Sequence, residues 1–479
     1  MNSRSGIVLS FKMHKKNATI ILVLLLVISA TPASAQTPTP PPGPIYIVQE
    51  GDTLWDIAIR FYVSLTDLQN ANPQSIKNLY VGDRLVIPGL EELSGTLITA
   101  PVPFGESLRS LARQYRVDPA LLIKLNHIVS PAELYAGYDL ILLQQDEQPA
   151  LTARSMLAKG DTLLELAVRQ NTDLWTITQL NALSGPQASL PGDLLYLPSG
   201  DSSAAPTGIP AVLTSAEVDP LPIIQGATVQ VKVMASQPVT LSGLLVDHPL
   251  QFFQQEDGSQ VALQGVHAMK EPGLYPLRID IALPDGSLQS FEQMVLVTSG
   301  HYPNETIYVE ANTIDPAVTV PEDAWLLALV TPVTTEKYWQ GKFQLPVDSN
   351  QFCVRSYYGN RRSYNGGALL GFHTGIDYGV CSEAHPFDVY APADGVVVFT
   401  GPKAVRGNAT IIDHGQGVYS GLFHQEEIFV SVGDPVTEGQ LIGKIGDTGR
   451  VTGPHLHWEV WVNGIQVNPT QWLNEVFPH

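Results

Sequence analysis

From His455 to Val462 polar and apolar residues alternate, His-Leu-His-Trp-Glu-Val-Trp-Val, and Asn463-Gly464 follows before Ile465-Gln-Val467. Alternation that closes on Asn-Gly predicts a β-hairpin. Residues two apart on a strand share a face. His455, His457 and Glu459 therefore project one way, and Leu456, Trp458, Val460 and Val462 point into a core. Throughout 346–479 short apolar runs are broken by Gly, Pro and Asp-Gly with no long helical period, which predicts an all-β antiparallel domain.

Upstream the pattern changes. Residues 46–58 lead through Asn72 to 81–88, and residues 157–167 lead through Asn181 to 191–198. Between them, 104–112, Asn126 and 136–143 trace the same path less faithfully. Each unit reads as strand, helix, helix, strand (βααβ), with Asp52-Thr53 and Asp161-Thr162 placed as helix N-caps. Residues 212–300 turn to short strands at 229–233, 239–246 and 277–283, the last running into Pro284-Asp-Gly286. Regular turn signals between short strands predict an Ig-like antiparallel sandwich. Residues 301–345 read as a connector running over the last domain.

Composition adds boundaries and a compartment. Five prolines mark 36–44 as a stiff linker, and 199–211 is a second one rich in Ser, Ala, Pro and Gly. Lys12, Lys15 and Lys16 precede an apolar run at 18–30 and then Ala33-Ser-Ala35. That order is a secretory signal peptide, expected over 1–35. The run falls short of the ~20 residues a spanning helix needs, with an uncleaved anchor as the alternative. The expected location is secreted or associated with the cell wall or envelope, with no stable membrane span after cleavage. A formal charge of −20 leaves no basic surplus for phosphates and argues against nucleic acid. The only two cysteines, Cys353 and Cys381, suit a disulfide in an exported chain. Closing that loop contributes roughly 3.5 kcal/mol in the chain-entropy model, and two buried thiols are the alternative.

The candidate chemistry is carried by histidine. Seven of twelve fall at or after position 373. His373-Thr-Gly-Ile-Asp377 places an imidazole and a carboxylate on one face, with Gly375 favouring an extended segment over a helix. Alone, such a pair is usually a solvated loop or a hydrogen bond. Together with His-x-His at 455–457 it gathers imidazoles and a carboxylate, and two His with one Asp are ligand types that hold catalytic zinc and leave a fourth position for water. No His-Glu-x-x-His occurs.

Gly359-Asn-Arg361-Arg362, the runs 372–377, 390–396, 432–434 and 439–443, and Thr448-Gly-Arg-Val-Thr-Gly-Pro-His-Leu-His-Trp-Glu459 closely resemble the lysostaphin-type zinc metallopeptidases, in the family's order from about 350 to 470. The resemblance implies one zinc ion in a 346–479 peptidase domain, with His373, Asp377 and His457 as ligands. It implies His424 and His455 as the unligated active-site histidines. His455 is assigned the general base, and His424 oxyanion stabilisation or protonation of the leaving amine. Glu459 is either a partner of a ligand or a surface carboxylate. His385 and His414 match no ligand position and read as structural, as do the isolated His248 and His267 of the middle domain.

The upstream units resemble LysM modules at 45–89, 96–143 and 154–198, and the resemblance implies binding of N-acetylglucosamine-containing glycan. The middle copy lacks the Gly-Asp-Thr start, so it reads equally as a spacer. The combined reading is a secreted zinc peptidoglycan endopeptidase cutting stem or cross-bridge peptides, held to wall glycan by its modules. The alternative is a catalytically silent wall-binding scaffold or an activator of another hydrolase. A zinc peptidase acting on proteins is a third reading.

Overall fold

The computed structural model describes residues 43–479 except 74–77, 131–133, 145–150, 152, 158–159, 191–192, 200–207, 211, 351 and 381–386. The expected signal peptide, most of the first linker, most of the second, His385 and Cys381 lie outside the described residues. Among those described, no helix is long and apolar enough to cross a membrane.

Each N-terminal unit is a strand, two short helices and a strand. Thr53 and Thr162 cap their helices by accepting from the Asp56 and Glu165 amides, and Glu165 returns the bond to the Thr162 amide. The preceding aspartates do different work. Asp52 accepts from Tyr46 and Arg60, and Asp161 pairs with Arg169. Asn72, Asn126 and Asn181 occupy equivalent positions after the second helix of each unit. Asn181 donates to the Ile177 and Tyr196 carbonyls (2.9 Å each) and accepts from the Tyr196 amide (2.8 Å), so one buried amide ties helix to strand. Asn72 and Asn126 repeat the three bonds.

Removing one such side chain strands buried backbone groups, which costs about 2–3 kcal/mol. Asn181→Ala is therefore expected to speed amide exchange at Tyr196 by roughly the corresponding 30- to 150-fold. Exchange at the wild-type rate would show the tie to be dispensable.

The first two units are not separate beads. Ile45–Ile47 runs parallel to Thr96–Pro101, joining both units into one four-stranded sheet over one core. The middle unit also docks on the sandwich: Phe104 packs edge-on to Phe291, Gly105 donates to Gln293, and Ala136 bridges Val295. Glu106 pairs with Arg154 of the third unit at 2.5 Å. The unit with the weakest sequence pattern thus has the most neighbours.

The middle domain is the expected two-sheet sandwich, of five and four strands. One pairing departs from antiparallel: Ile223–Ile224 runs parallel to Leu288–Thr298. In Thr228–Ala235 the alternation does not separate core from solvent, because Gln230 is buried along with Val229 and Val231. The second face is covered by the C-terminal domain, where Gln230 donates to the His479 carbonyl and Val261 and Leu263 join that domain's core.

The C-terminal domain is a ten-stranded sheet whose main path runs Phe352–Ser356, Ile376–Val380, His455–Val462, Val418–Ile428, Gly407–Gly415, Gly395–Lys403 and Pro435–Val436. Cys353 is disulfide-bonded. The region read as a connector holds more structure than its sequence pattern conveys. Asn304–Ile307 adds in parallel to Arg361–Tyr364. Pro316–Val330 forms a fifteen-residue helix capped by Asp315, with Pro316 at its first turn and Pro321 within it. Two prolines in six residues disguise a helix whose buried Thr319, Glu322, Leu326 and Val330 keep helical spacing. Trp339 and Phe343 pack into the core of the C-terminal domain.

Candidate active site

His455–Val462 sits between Ile376–Val380 and Val418–Ile428. In the first pairing Asp377 lies directly opposite His457 and Gly379 opposite His455. Cross-strand pairing of residues 80 positions apart thereby brings the carboxylate to the imidazole. His373 precedes its strand in extended chain, pinned by bonds between its backbone and Gly359 and Asn360 (2.8 Å each). The turn into the strand needs Gly375, since a Cβ there would come within 2.2 Å of the Trp458 carbonyl oxygen.

The three donors converge. His457 Nδ1 and His373 Nε2 lie 2.7 and 2.9 Å from the same Asp377 oxygen and 3.0 Å from each other. One ligand atom from each falls within 4.8 Å of the others. The far nitrogens are committed elsewhere: His373 Nδ1 donates to the Tyr357 carbonyl at 2.8 Å, and His457 Nε2 donates to Glu459 at 3.2 Å. These bonds select the tautomers that leave lone pairs on the converging atoms. Two neutral imidazoles and a carboxylate are a donor set that fits zinc.

Glu459 is no surface carboxylate. It is 1 % exposed and also accepts from Thr374 (2.5 Å), Trp461 (2.8 Å) and Gln466 (3.2 Å). Burial acts to raise its pKa, but the bond from His457 and the charge of Arg406 bring it down to about 2. Burial likewise opposes ionisation of Asp377, yet His373 and His457 hold it well below the usual carboxylate range.

His424 and His455 stand beside this cluster, their ring centroids 4.9 Å apart. Both donate Nδ1–H to a backbone carbonyl, His424 to Thr448 (2.7 Å) and His455 to Gly453 (2.8 Å). Each therefore presents Nε2, and that of His455 is 3.6 Å from Asp377. His424 sits at a break in register of its strand with a positive φ of 64°, a bulge conformation that re-aims a side chain. Burial, then the neighbouring His455 and His457, push its pKa well below the ordinary value. His414 is apart, fully buried between Asp394 and Ser420, as its structural reading anticipates.

The site opens into a cavity of about 580 Å³ with walls from three parts of the chain. The Pro316–Val330 helix contributes Thr319, Asp323 and Leu327, and the sandwich contributes His248 and His267. His267 stacks edge-on against Phe372 at 4.9 Å. Reading these two histidines as isolated therefore missed where they lie, since only packing of the sandwich on the sheet brings them to the groove. Sequence reasoning also missed Arg362, 3.3 Å from Asp377, although its Arg-Arg run was in view.

The model of peptidase family M23 matches residues 371–469, and the LysM domain model matches 46–88, 102–142 and 157–198. A DD-carboxypeptidase/endopeptidase (Mpg) of Neisseria meningitidis serogroup B is 46% identical over 97 residues, 20% of this chain and 22% of that protein. The peptidoglycan DD-endopeptidase ShyA of Vibrio cholerae is 40% identical over 125 residues, 26% of this chain and 28% of that one. The chain thus spans between a fifth and a third of the length of these relatives. Among solved structures, a putative M23 peptidase from Pseudomonas aeruginosa aligns with 53% of this chain and 95% of that one at 24% identity and a TM-score of 0.39. The catalytic domain of lysostaphin from Staphylococcus simulans covers 26% of this chain and 93% of its own at 28% identity and a TM-score of 0.23. The chain carries a peptidase family M23 domain behind three LysM domains.

Proposed function

We propose that this protein is an exported zinc-dependent peptidoglycan endopeptidase that its LysM domains hold against wall glycan. The observation that carries the reading is the convergence of His373 Nε2, Asp377 Oδ1 and His457 Nδ1 beside two imidazoles whose Nε2 atoms remain available. Zinc bound there would polarise an amide carbonyl and lower the pKa of water at the open position toward ~7.

The chain's own residues do the rest. His455 accepts the proton of the attacking water at Nε2. The same nitrogen then donates to the departing amine. His424, neutral through burial, orients the water by accepting a hydrogen bond at Nε2. Because its Nδ1 proton is held by Thr448, it serves as a donor to oxyanion or amine only after taking up a proton itself. Glu459 keeps the His457 ring in the ligating tautomer. LysM binding concentrates the enzyme at its substrate without any new contact at the active site.

The test is digestion of purified peptidoglycan by the zinc-loaded full chain, with quantitation of new amino termini. New termini are expected. His455→Ala is expected to retain zinc while losing about 10²–10⁴-fold in rate. Release of reducing sugar ends without amino termini, or full activity in His455→Ala, would overturn this reading.

A further inference from the structure

Three arginines reach the cavity that holds Asp377, His455 and His457. Two have counterions. Arg362 lies 2.6 Å from Glu305 and 3.3 Å from Asp377, and Arg406 lies 3.3 Å from Glu322 and 3.0 Å from Asp323. Arg450 differs. Among the described residues it has no carboxylate at ion-pair distance, and its side chain donates one bond, to the Thr313 carbonyl at 3.2 Å. Its guanidinium lies over Tyr364, 4.8 Å from the ring centroid. Burial works against its charge, and Arg406 and Arg362 add to that, while Tyr364 and the more distant Asp323 offset it only in part. A guanidinium keeps its proton regardless, so the groove of an acidic protein holds a cation lacking its anion. The position is rigid as well, because the Arg450 amide donates to the Val405 carbonyl at 2.8 Å.

A half-buried cation without a partner is costly to maintain, and a guanidinium is shaped to receive a carboxylate through two parallel bonds. We propose that Arg450 is the subsite for a free carboxylate that the substrate peptide carries beside its scissile amide. The enzyme then takes links whose amine half bears an α-carboxylate in preference to neutral bridges such as oligoglycine. This assignment rests on the peptidase reading above. Arg450 binds and selects, and the hydrolytic step is left to the histidines.

The experiment uses the full chain and two synthetic branched peptides that differ only in whether the amine half ends in a carboxylate or a carboxamide. The zinc-loaded wild type is expected to show a kcat/KM about 10- to 100-fold higher for the carboxylate, the range for a charge-assisted bond, mostly through KM. In Arg450→Gln that ratio falls to near one, while the rate on the carboxamide stays within about twofold; Arg450→Lys keeps part of the ratio. Equal rates for both peptides in the wild type would overturn the proposal even if the variants fail to fold. A variant that slows both peptides in parallel would also overturn it, and would leave Arg450 a clamp on Thr313. Equilibrium binding of the two peptides to the zinc-free chain separates the two claims. Discrimination in binding with no hydrolysis removes the peptidase reading and keeps the subsite, whereas hydrolysis without discrimination does the reverse.

Discussion

His457→Ala is expected to lower bound zinc from about one ion per chain to less than a tenth and to reduce peptide-bond hydrolysis to background. The imidazole supplies one of three converging donors, and a catalytic zinc site with two protein ligands has lost the set that holds it. The fold should survive. His457 is cross-strand to Asp377 and Phe423 inside a sheet of ten strands, and Glu459 keeps its bonds from Thr374, Trp461 and Gln466 when the imidazole is gone. Elemental analysis gives the metal content, released amino termini give the rate, and circular dichroism reports the fold. A folded variant that still holds zinc in equal measure would mean that the ion sits elsewhere, and the proposed ligand set would fail.

The largest effect on stability is expected at Glu322. This side chain, 8% exposed, receives the Val405 amide at 2.9 Å, the Arg406 amide at 3.0 Å and the Arg406 guanidinium at 3.3 Å. Glu322→Ala leaves two backbone donors without their acceptor and the buried Arg406 guanidinium with only the exposed Asp323. Breaking a buried pair from one side costs about 3–5 kcal/mol. Asp323 also touches Arg406, but its side chain is 62% exposed and provides no buried acceptor. Denaturant unfolding followed by tryptophan fluorescence should show the loss in the transition assigned to the C-terminal domain, where Trp325 packs against Phe399. A change under ~1 kcal/mol, the range of an exposed pair, would show that Arg406 reaches water once Glu322 is gone.

That pair also ties the site to the connector. Leu326 and Val330 of the same helix pack with Phe423, which stacks on His457 with ring centroids 5.8 Å apart. A helix outside the matched peptidase region therefore buttresses the side chain behind a proposed ligand. Loosening it at Glu322 should lower thermal stability first and hydrolysis only as a consequence.

Much of this protein was legible without coordinates because the information is local. Alternation over 455–462 and Asn463-Gly464 were enough for the strand and its turn, and the observed hairpin pairs Val462 with Ile465. The same two-residue period put His455, His457 and Glu459 on one face, and all three line one cavity. The caps at Thr53 and Thr162 and the repeated asparagine are likewise signals spanning fewer than twenty residues. Prolines at 316 and 321 hid a helix, because its stability comes from packing against a distant sheet rather than from propensity.

What the chain alone determined was the kind of chemistry: which residues carry metal-ligand character, which segments form strands, and how the units follow one another. Only the tertiary structure decided the charge and walls of the groove. Whether Glu459 is buried, whether His267 meets Phe372, and whether Arg450 finds a counterion depend on segments far away in the chain, from Thr374 for Glu459 to Thr313 for Arg450. Each outcome is set by desolvation and by neighbours that sequence spacing does not encode.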